Sequence, residues 1–373
     1  MRVLFWSELF WPHIGGVEVL GARMVAALSE RGHEFVVVTR HDDLGLGEEA
    51  IFKGIPVHRL PFFQALAQRN PSALLEMRQR VIQLKRSFTP DLVHLNSVGP
   101  SAFFHLDTPH ALSVPTLVTF HGHELQAPDS HDTLLRRTMQ AASWVTAPSA
   151  ATMAYVRQLA PDMSLPASII YNGLEQPSLS PEPLPFAPPR LLYLGRLSAE
   201  KGVDLALDAL AQIRDRHPQV RFIIAGDGQE RNALEEQAVE LGLAAAVDFV
   251  GWVSPDAVPE LLNTATMVLM PSRSEALPLV ALQAAMMARP LVGTEVGGLP
   301  EVVVHGETGL LVQAEDSQSL AGAIASLLER PDRATLMKQA ARKRAREVFG
   351  WERFLDAYER LYSDLVAGRA GKS

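Results

Sequence analysis

Two cations lie in a glycine turn that could bind a phosphorylated ligand. Arg196 and Lys201 belong to the stretch 195–202, which follows a short apolar run and precedes a helical pattern. A strand, a glycine turn and a helix start present backbone N–H groups to an anion, and the helix dipole favours negative charge there. A guanidinium fork and a mobile ammonium suit a diphosphate. These residue types therefore predict a diphosphate site.

A carboxylate stands just before another helix start, in the stretch 271–280. Glu275 can accept hydrogen bonds from two sugar hydroxyls, and the proline three residues later fits the first turn of a helix. The N–H groups of Leu279 and Val280 would face the same ligand. Gln283 lies further along this helix and could bond a ribose without carrying charge. Together with the two cations, this stretch suggests transfer of a sugar from a nucleotide diphosphate.

A histidine pair follows a predicted strand in the first half of the chain. His121 and His123 could orient an acceptor hydroxyl or assist its deprotonation, and Glu124 stands next to them. A His-x-His-Glu cluster can also bind a metal, but no further ligand cluster is near in sequence, so no metal site is predicted. A hydrogen-bonded loop histidine is the alternative.

Two further loops are weaker candidates for ligand contact. Gly15 and Gly16 lie between the first predicted strand and a helix, where bare backbone could approach a ligand, although a tight turn explains them equally well. Trp252 and Val253 end another strand, and their backbone could meet the nucleobase of a donor.

Composition limits the class of protein. A chain of 373 residues suits two domains rather than one core, and 47% apolar with 20% charged residues is typical of soluble globular proteins. The net charge of −8 argues against a nucleic-acid partner, and the lack of cysteine excludes disulfides and thiolate chemistry. Neither a spanning apolar run nor a secretion signal is recognisable, so a cytoplasmic protein is expected.

Short apolar strands alternate with helical patterns along nearly the whole chain. The alternation stops at 175–189, where six prolines in 15 residues exclude a helix or central strand and predict a stiff linker. The fold class is therefore α/β, with two Rossmann-like doubly wound domains facing a cleft. Ligands of such sheets bind beyond the carboxyl ends of the strands, where every motif above falls. Strands are predicted at 3–6, 34–39, 92–95, 116–120, 144–147, 167–171, 190–195, 220–225, 247–250, 267–270, 290–293 and 310–312.

The motifs taken together resemble those of the family-4 retaining glycosyltransferases of GT-B fold, and the resemblance covers nearly the whole chain. They are Gly15-Gly16-Val17-Glu18, Phe120-His121, Tyr171-Asn172-Gly173, Gly195-Arg196 with Lys201-Gly202, Gly226-Asp227-Gly228, Pro271-Ser272 with Glu275, and the stretches 297–301 and 305–309. By position, Arg196 and Lys201 match the family's diphosphate clamp. Glu275 matches the first carboxylate of its paired-glutamate motif, and His121 matches its active-site histidine.

The resemblance implies a division of labour between the domains. Residues 190–350 would bind a nucleotide diphosphate sugar, with a UDP-sugar favoured and no metal or other cofactor required. Residues 1–175 would bind a hydroxyl acceptor such as a glycan, lipid or small molecule, with 176–189 as linker. The final helix, within 351–373, would cross back to the N-terminal domain, and transfer would retain the anomeric configuration.

Two positions depart from the family pattern. Gln283 stands where the second glutamate is usual, and Ala288 replaces the glycine of the turn before Pro290. A hydrogen bond to a charged group contributes roughly 1.5–3 kcal/mol against about 1 for a neutral one, so weaker donor binding is expected without loss of chemistry. Two alternatives stay open: a non-hydrolysing nucleotide-sugar epimerase and an inactive sugar-nucleotide-binding protein.

A basic segment at 68–86 is predicted to form a helix. Its apolar residues are interleaved with five cations and one acid, namely Arg69, Arg78, Arg80, Lys85, Arg86 and Glu76. Such a helix can lie on an anionic membrane surface and would give the protein peripheral membrane contact. The alternative is a helix packed on the sheet with a solvated cationic face.

Overall fold

The chain forms two compact units. The computed structural model describes residues 1–41, 45–68, 70–111, 113–122, 134–164 and 166–368. The first unit consists of Met1–Tyr171 with Phe354–Ser373, and the second consists of Asn172–Arg353. No helix of the described residues is long and apolar enough to cross a membrane.

The first unit is built on an eight-stranded sheet. Its strands are β1 (Arg2–Ser7), β2 (Glu34–Arg40), β3 (Glu49–Phe52), β4 (Ile55–Leu60), β5 (Leu92–Leu95), β6 (Thr116–Thr119), β7 (Trp144–Ala147) and β8 (Ala167–Ile169). Its helices are α1 (Gly16–Glu30), α2 (Phe62–Ala67), α3 (Pro71–Phe88), α4 (Ala102–Leu106), α5 (Leu134–Ala141) and α6 (Ala150–Leu159). The strand order is β3-β4-β2-β1-β5-β6-β7-β8, and only the β3–β4 pair is antiparallel among the pairs described.

The second unit contains a six-stranded, all-parallel sheet. Its strands are β9 (Arg190–Leu194), β10 (Arg221–Ala225), β11 (Val247–Gly251), β12 (Met267–Met270), β13 (Leu291–Thr294) and β14 (Gly309–Val312). Its helices are α7 (Val203–Ile213), α8 (Arg231–Glu240), α9 (Val258–Asn263), α10 (Leu279–Met286), α11 (Leu299–Val302), α12 (Ser317–Leu328) and α13 (Pro331–Val348), and the last helix of the chain is α14 (Trp351–Val366).

The strand orders determine where ligands can bind. The second sheet has the order β11-β10-β9-β12-β13-β14, which is the doubly wound order of dinucleotide-binding folds. The order in which the chain adds strands to this sheet reverses between β9 and β12. The crevice beyond the carboxyl ends of those two strands is the usual ligand site. In the first sheet the corresponding reversal lies between β1 and β5. All four strands are buried almost throughout, as expected for parallel strands covered on both faces.

The predicted strands are confirmed, but a hairpin of the first unit is missing from the prediction. β3 and β4 are joined by Lys53 and Gly54, which both have positive φ angles of 48° and 83°. A lysine in this conformation is uncommon, so the turn has no recognisable sequence signal. Pro56 lies within β4 and argues against a strand there, which explains the omission.

The proline-rich segment is bonded to the second unit. Asn263 joins it twice, by accepting from the backbone N–H of Glu182 (3.1 Å) and donating to the carbonyl of Ser180 (3.0 Å). The Thr266 hydroxyl donates to the carbonyl of Pro185. These side chains give the extended backbone partners that neither a helix nor a sheet supplies.

Helix α14 is held on the first unit by polar contacts, some buried and some partly exposed. His94 Nδ1 lies 2.6 Å from the Tyr362 hydroxyl, and Arg31 forms ion pairs of 2.8 Å with both Asp356 and Glu359. Burial lowers the pKa of His94 to about 3, with a smaller contribution from His121. His94 is therefore neutral in the folded protein at physiological pH.

The basic segment differs from its prediction in extent and charge. α3 begins at Pro71 rather than at residue 68. Arg78 and Arg80 form ion pairs with Asp107 and Glu48, both at close range. Lys85 is 2% exposed and donates to the carbonyls of His105 and Thr108 and to the Thr108 hydroxyl. The expectation that Lys85 belongs to a cationic face is wrong, because it lies inside the domain.

Candidate active site

The structure brings Lys201 and Glu275 into direct contact. Lys201 Nζ lies 2.9 Å from Glu275 Oε1, and the two side chains are only 16% and 8% exposed. Lys201 ends the loop that follows β9, and Glu275 lies in the loop that follows β12. The ion pair therefore stands at the reversal point of the second sheet, where ligands of doubly wound folds bind.

The hydrogen bonds of Glu275 leave one of its oxygens available. Oε1 accepts from Lys201 Nζ and from the Ser272 hydroxyl at 2.7 Å. Among the described residues, Oε2 has no hydrogen-bond donor. A carboxylate held on one oxygen can present the other to hydroxyl groups of a ligand. Ser272 thus joins the site as a residue that orients the carboxylate.

Arg196 lies in the same loop but is less restrained. Its side chain is 61% exposed, and its guanidinium lies 3.8 Å from Glu200. The backbone of the loop is fixed instead by Tyr193, whose hydroxyl donates to the Arg196 carbonyl at 2.7 Å. Burial raises the pKa of Tyr193, as do the nearby carboxylates of Glu275 and Glu200, so it stays protonated as the donor. Arg196 is free to turn towards a ligand on this rigid loop.

Two glycines allow the loops of the site to touch. A Cβ on Gly202 would lie 2.0 Å from the carbonyl oxygen of Pro271, and one on Gly297 would lie 1.7 Å from that of Glu275. Gly202 and Gly297 also have positive φ angles of 64° and 51°. The Gly298 N–H donates to the same Glu275 carbonyl at 3.0 Å. A larger residue at Gly202 would push the Lys201 and Glu275 loops apart, and one at Gly297 would push the loop after β13 away from Glu275.

Arg273 links three loops around the ion pair. Its guanidinium forms a bidentate pair with Asp204 at 2.7 and 2.9 Å, and its Nε lies 2.6 Å from Glu315. Its backbone N–H donates to the Glu200 carbonyl at 2.8 Å. Hydrogen bonds to Asp204 and then Glu315 raise the pKa of Arg273 further above its usual range. Arg273 therefore fastens the Glu275 loop to the segment that carries Lys201.

Helix α10 begins beside Glu275. Pro278 occupies its N-cap position, one residue earlier than the first turn expected from sequence. The N–H groups of Leu279 and Val280 lie in the first turn and have no partner within the helix. Asn172 supports this turn by donating to the Leu277 carbonyl at 3.2 Å. Gln283 is half-buried further along the same helix.

Trp252 and Val253 follow β11, which is the edge strand of the second sheet. The Trp252 side chain is 59% exposed. Both residues share the carboxyl edge of the sheet with Lys201 and Glu275, but two strands lie between β11 and β12. No contact joins them to the ion pair among the described residues.

In the first unit, His121 follows β6 and is 7% exposed. Its Nε2 lies 3.3 Å from Asn96 Oδ1, at the carboxyl end of β5. Asn96 Nδ2 is buried and has no hydrogen-bond partner among the residues that the structure describes. Such a group is costly unless a ligand or water bonds it, so Asn96 marks a site beside His121. His123 and Glu124 lie outside the described residues.

Glu8 follows β1 and accepts hydrogen bonds from the Ser101 N–H (2.8 Å) and hydroxyl (2.6 Å). Burial raises its pKa, and the hydrogen bonds and Arg40 oppose that rise. Because β1 and β5 flank the reversal point of the first sheet, Glu8 and Asn96 lie where ligands of such a sheet bind.

Gly15 and Gly16 begin α1, with Gly15 at the N-cap. A Cβ on Gly15 would lie 2.1 Å from Glu18 Oε2, so the missing side chain makes room for a carboxylate of the helix's own first turn. The helix dipole stabilises an acidic group at this end of the helix. This contact explains Gly15 structurally without requiring a ligand.

The residues missed from sequence are Tyr193, Arg273, Asn96 and Glu8, whereas Ser272 and Asn172 lie within the family motifs but have no predicted role. The only sequence signal that these residues share is a polar side chain at or near a strand end. Within the described ranges, no group of three or more His, Asp or Glu side chains could hold a metal ion.

Comparisons with known proteins agree over both units. A family model described as Glycosyl transferases group 1 matches residues 180–344, and one described as Glycosyltransferase Family 4 matches residues 14–176. Glycogen synthase of Mycobacterium tuberculosis is 28% identical over 403 residues, which cover 97% of this chain and 94% of that relative.

Solved structures share the fold. Sucrose-phosphate synthase from Thermosynechococcus elongatus has a TM-score of 0.84 at 22% identity and covers 99% of this chain and 100% of its own. Anabaena HepE, solved in complex with UDP-glucose, has a TM-score of 0.79 at 24% identity. The match covers 98% of this chain and 100% of the HepE chain. The family models thus match both Rossmann-like units, and this chain belongs to glycosyltransferase family 4 and has the GT-B fold.

Proposed function

We propose that this protein transfers a sugar from a UDP-sugar to a hydroxyl acceptor, with retention of anomeric configuration and without a metal ion. The Lys201–Glu275 ion pair at the reversal point of the second sheet carries the proposal. A cation able to bind phosphate and a carboxylate able to bind hydroxyl groups are one hydrogen bond apart in this pair. A nucleotide diphosphate sugar carries phosphate and hydroxyl groups only a few bonds apart, which supports the proposal.

Lys201 and Arg196 would bind the diphosphate. The Lys201 ammonium has three donors, and Glu275 takes one of them, so two are left for phosphate oxygens. Arg196 is exposed enough to turn onto the same group. Both cations would stabilise the negative charge that develops on the leaving diphosphate. In other enzymes a metal ion provides this stabilisation. Removing one such contact typically costs about 10²–10³ in rate.

Glu275 would bind the donor sugar through Oε2 while Ser272 and Lys201 hold Oε1. The first-turn N–H groups of Leu279 and Val280 add donors to the same ligand, and Gln283 would bond the ribose without charge. Gly15 and Gly16 would approach the donor through backbone, and Trp252 and Val253 would lie beside the base. UDP is favoured as the nucleotide because HepE was solved with UDP-glucose.

The acceptor would bind at the first unit. The amide nitrogen of Asn96, which has no partner among the described residues, would donate a hydrogen bond to the acceptor hydroxyl beside the His121 imidazole. Retention follows if the acceptor attacks from the face that the diphosphate leaves. The acceptor oxygen then bonds the anomeric carbon as the phosphate oxygen departs and takes the acceptor's proton.

Turnover tests this proposal. Purified protein with excess EDTA, a panel of UDP-sugars and a panel of sugar and polyol acceptors should give a glycoside whose anomeric configuration equals that of the donor. Lys201→Ala should lower the rate about 10²–10³-fold. An inverted product, or a strict metal requirement, contradicts the proposal. Epimerised donor formed without acceptor would identify an epimerase, and binding without any turnover would identify an inactive relative.

A further inference from the structure

A groove on the second unit gathers positive charge that the proposed donor site does not use. It has a volume of about 640 Å³ and lies between helix α13, the turn after α10 and the proline-rich segment. The residues that matter here are four cations of α13, one acid and the turn residue: Lys338, Arg342, Lys343, Arg346, Glu347 and Ala288. A space of this size holds a small organic ligand.

The four cations have no partners of their own. In the described part of the chain, none of their side chains forms an ion pair or a hydrogen bond. Arg342 Nε is buried without any hydrogen-bond partner. Arg344, on another face of the same helix, donates instead to the carbonyls of Glu301 and Val302. The groove thus holds one buried donor, Arg342 Nε, that the described part of the protein leaves unsatisfied.

A buried guanidinium adds to the positive field. Arg289 is fully buried and donates to the carbonyls of Met287, Ala265 and Glu182 and to Asn263 Oδ1, and the nearby Glu182 carboxylate offsets part of its charge. Burial and this neighbouring guanidinium lower the pKa of Lys338. The chain as a whole has a net charge of −8, so this excess of cations is local.

We infer that the α13 groove is a second anion site, which binds the phosphate group of a small phosphorylated ligand or of a lipid headgroup. Arginine forks bind phosphate oxygens in pairs, and lysines add point charges around them. Such a ligand supplies the acceptor that Arg342 Nε lacks and offsets the repulsion among the cations. The site is independent of the donor site and stands even if the proposed transfer reaction is wrong.

Pyrophosphate binding tests the inference in a background that lacks the donor clamp. Lys201→Ala is needed because pyrophosphate would also bind at the proposed donor site. Calorimetry on Lys201→Ala should show pyrophosphate binding, and adding Lys338→Gln and Arg342→Gln should weaken it about 100-fold, because each charged hydrogen bond contributes about tenfold. Arg333→Gln, which removes a cation of α13 outside the groove, should change it less than about threefold.

Vesicle sedimentation distinguishes the two sources of phosphate. Vesicles of phosphatidylglycerol and of phosphatidylcholine are mixed with the same variants, and urea unfolding confirms that each variant is folded. Binding to phosphatidylglycerol alone, lost in the groove variant, assigns the phosphate to a lipid headgroup, and pyrophosphate binding assigns it to a free ligand. The inference is overturned if neither probe binds, or if Arg333→Gln weakens binding as much as the groove substitutions.

Discussion

Lys201 Nζ and Glu275 Oε1 are 2.9 Å apart, although the residues are separated by 74 positions in the chain. Each lies in a different loop of the second sheet. Gly202 lets those two loops touch, and Gly297 lets the loop after β13 pack against Glu275. The low exposure of both side chains makes the contact stronger than a surface ion pair. The proposed donor site is thus largely arranged without a ligand.

Arg273 is expected to position this pair, so Arg273→Lys should weaken UDP binding about tenfold. Lysine cannot form the bidentate contact with Asp204 while also reaching Glu315. Calorimetry with UDP measures the effect. Arg221→Lys is the matched control, because Arg221 makes a bidentate pair with Asp248 between β10 and β11. Equal losses in both variants would show that Arg273 has no special relation to the site.

Gln283→Glu should keep or raise the affinity for the donor. The carboxylate accepts stronger hydrogen bonds from ribose hydroxyls, by roughly 1 kcal/mol. Dissociation constants of UDP and a UDP-sugar check this, with Gln318→Glu in the exposed first turn of α12 as the control for added charge. A clear loss of affinity in Gln283→Glu alone would mean that α10 binds something other than the ribose.

Gly297→Ala should unfold the donor loop and abolish UDP binding. The added Cβ would lie 1.7 Å from the Glu275 carbonyl oxygen, and the φ angle of 51° is itself unfavourable. Gly306→Ala has a φ angle of 82° but no atom within 4 Å, so it carries only the conformational cost of about 1–2 kcal/mol. Thermal melts with and without UDP compare them. Retained UDP binding in Gly297→Ala would refute the loop contact.

Buried Lys85 should make stability depend on alkaline pH. Burial lowers its pKa from 10.5 to about 8, so the folded protein binds fewer protons than the unfolded chain between these values. The contribution of Lys85 to stability is then most favourable above pH 10.5 and becomes less favourable as the pH falls to 8. Urea unfolding between pH 8 and 10 should show that the free energy of unfolding of the native protein rises relative to that of Lys85→Met. A constant difference would mean that its three hydrogen bonds stabilise the charged amine fully.

The sequence pattern predicts much of this fold because the strands of both sheets are short, apolar and bounded by turns. It places Lys201 and Glu275 at strand ends, where parallel sheets bind ligands. It does not predict their contact, which depends on strand order in three dimensions. The role of Arg273 is not predicted because an arginine in a serine-rich turn is typical of an exposed surface. The burial of Lys85 is not predicted because its helical position alone does not show which face is buried.

The most direct test of the account is thermal stabilisation by UDP, GDP and ADP in excess EDTA, on the native chain and on Lys201→Ala. A ligand at about 100 times its dissociation constant adds roughly 2.7 kcal/mol to stability. We expect a clear shift with UDP that is lost in Lys201→Ala, while both proteins melt cooperatively without nucleotide. No shift with any nucleotide, or a shift that Lys201→Ala leaves unchanged, would contradict it.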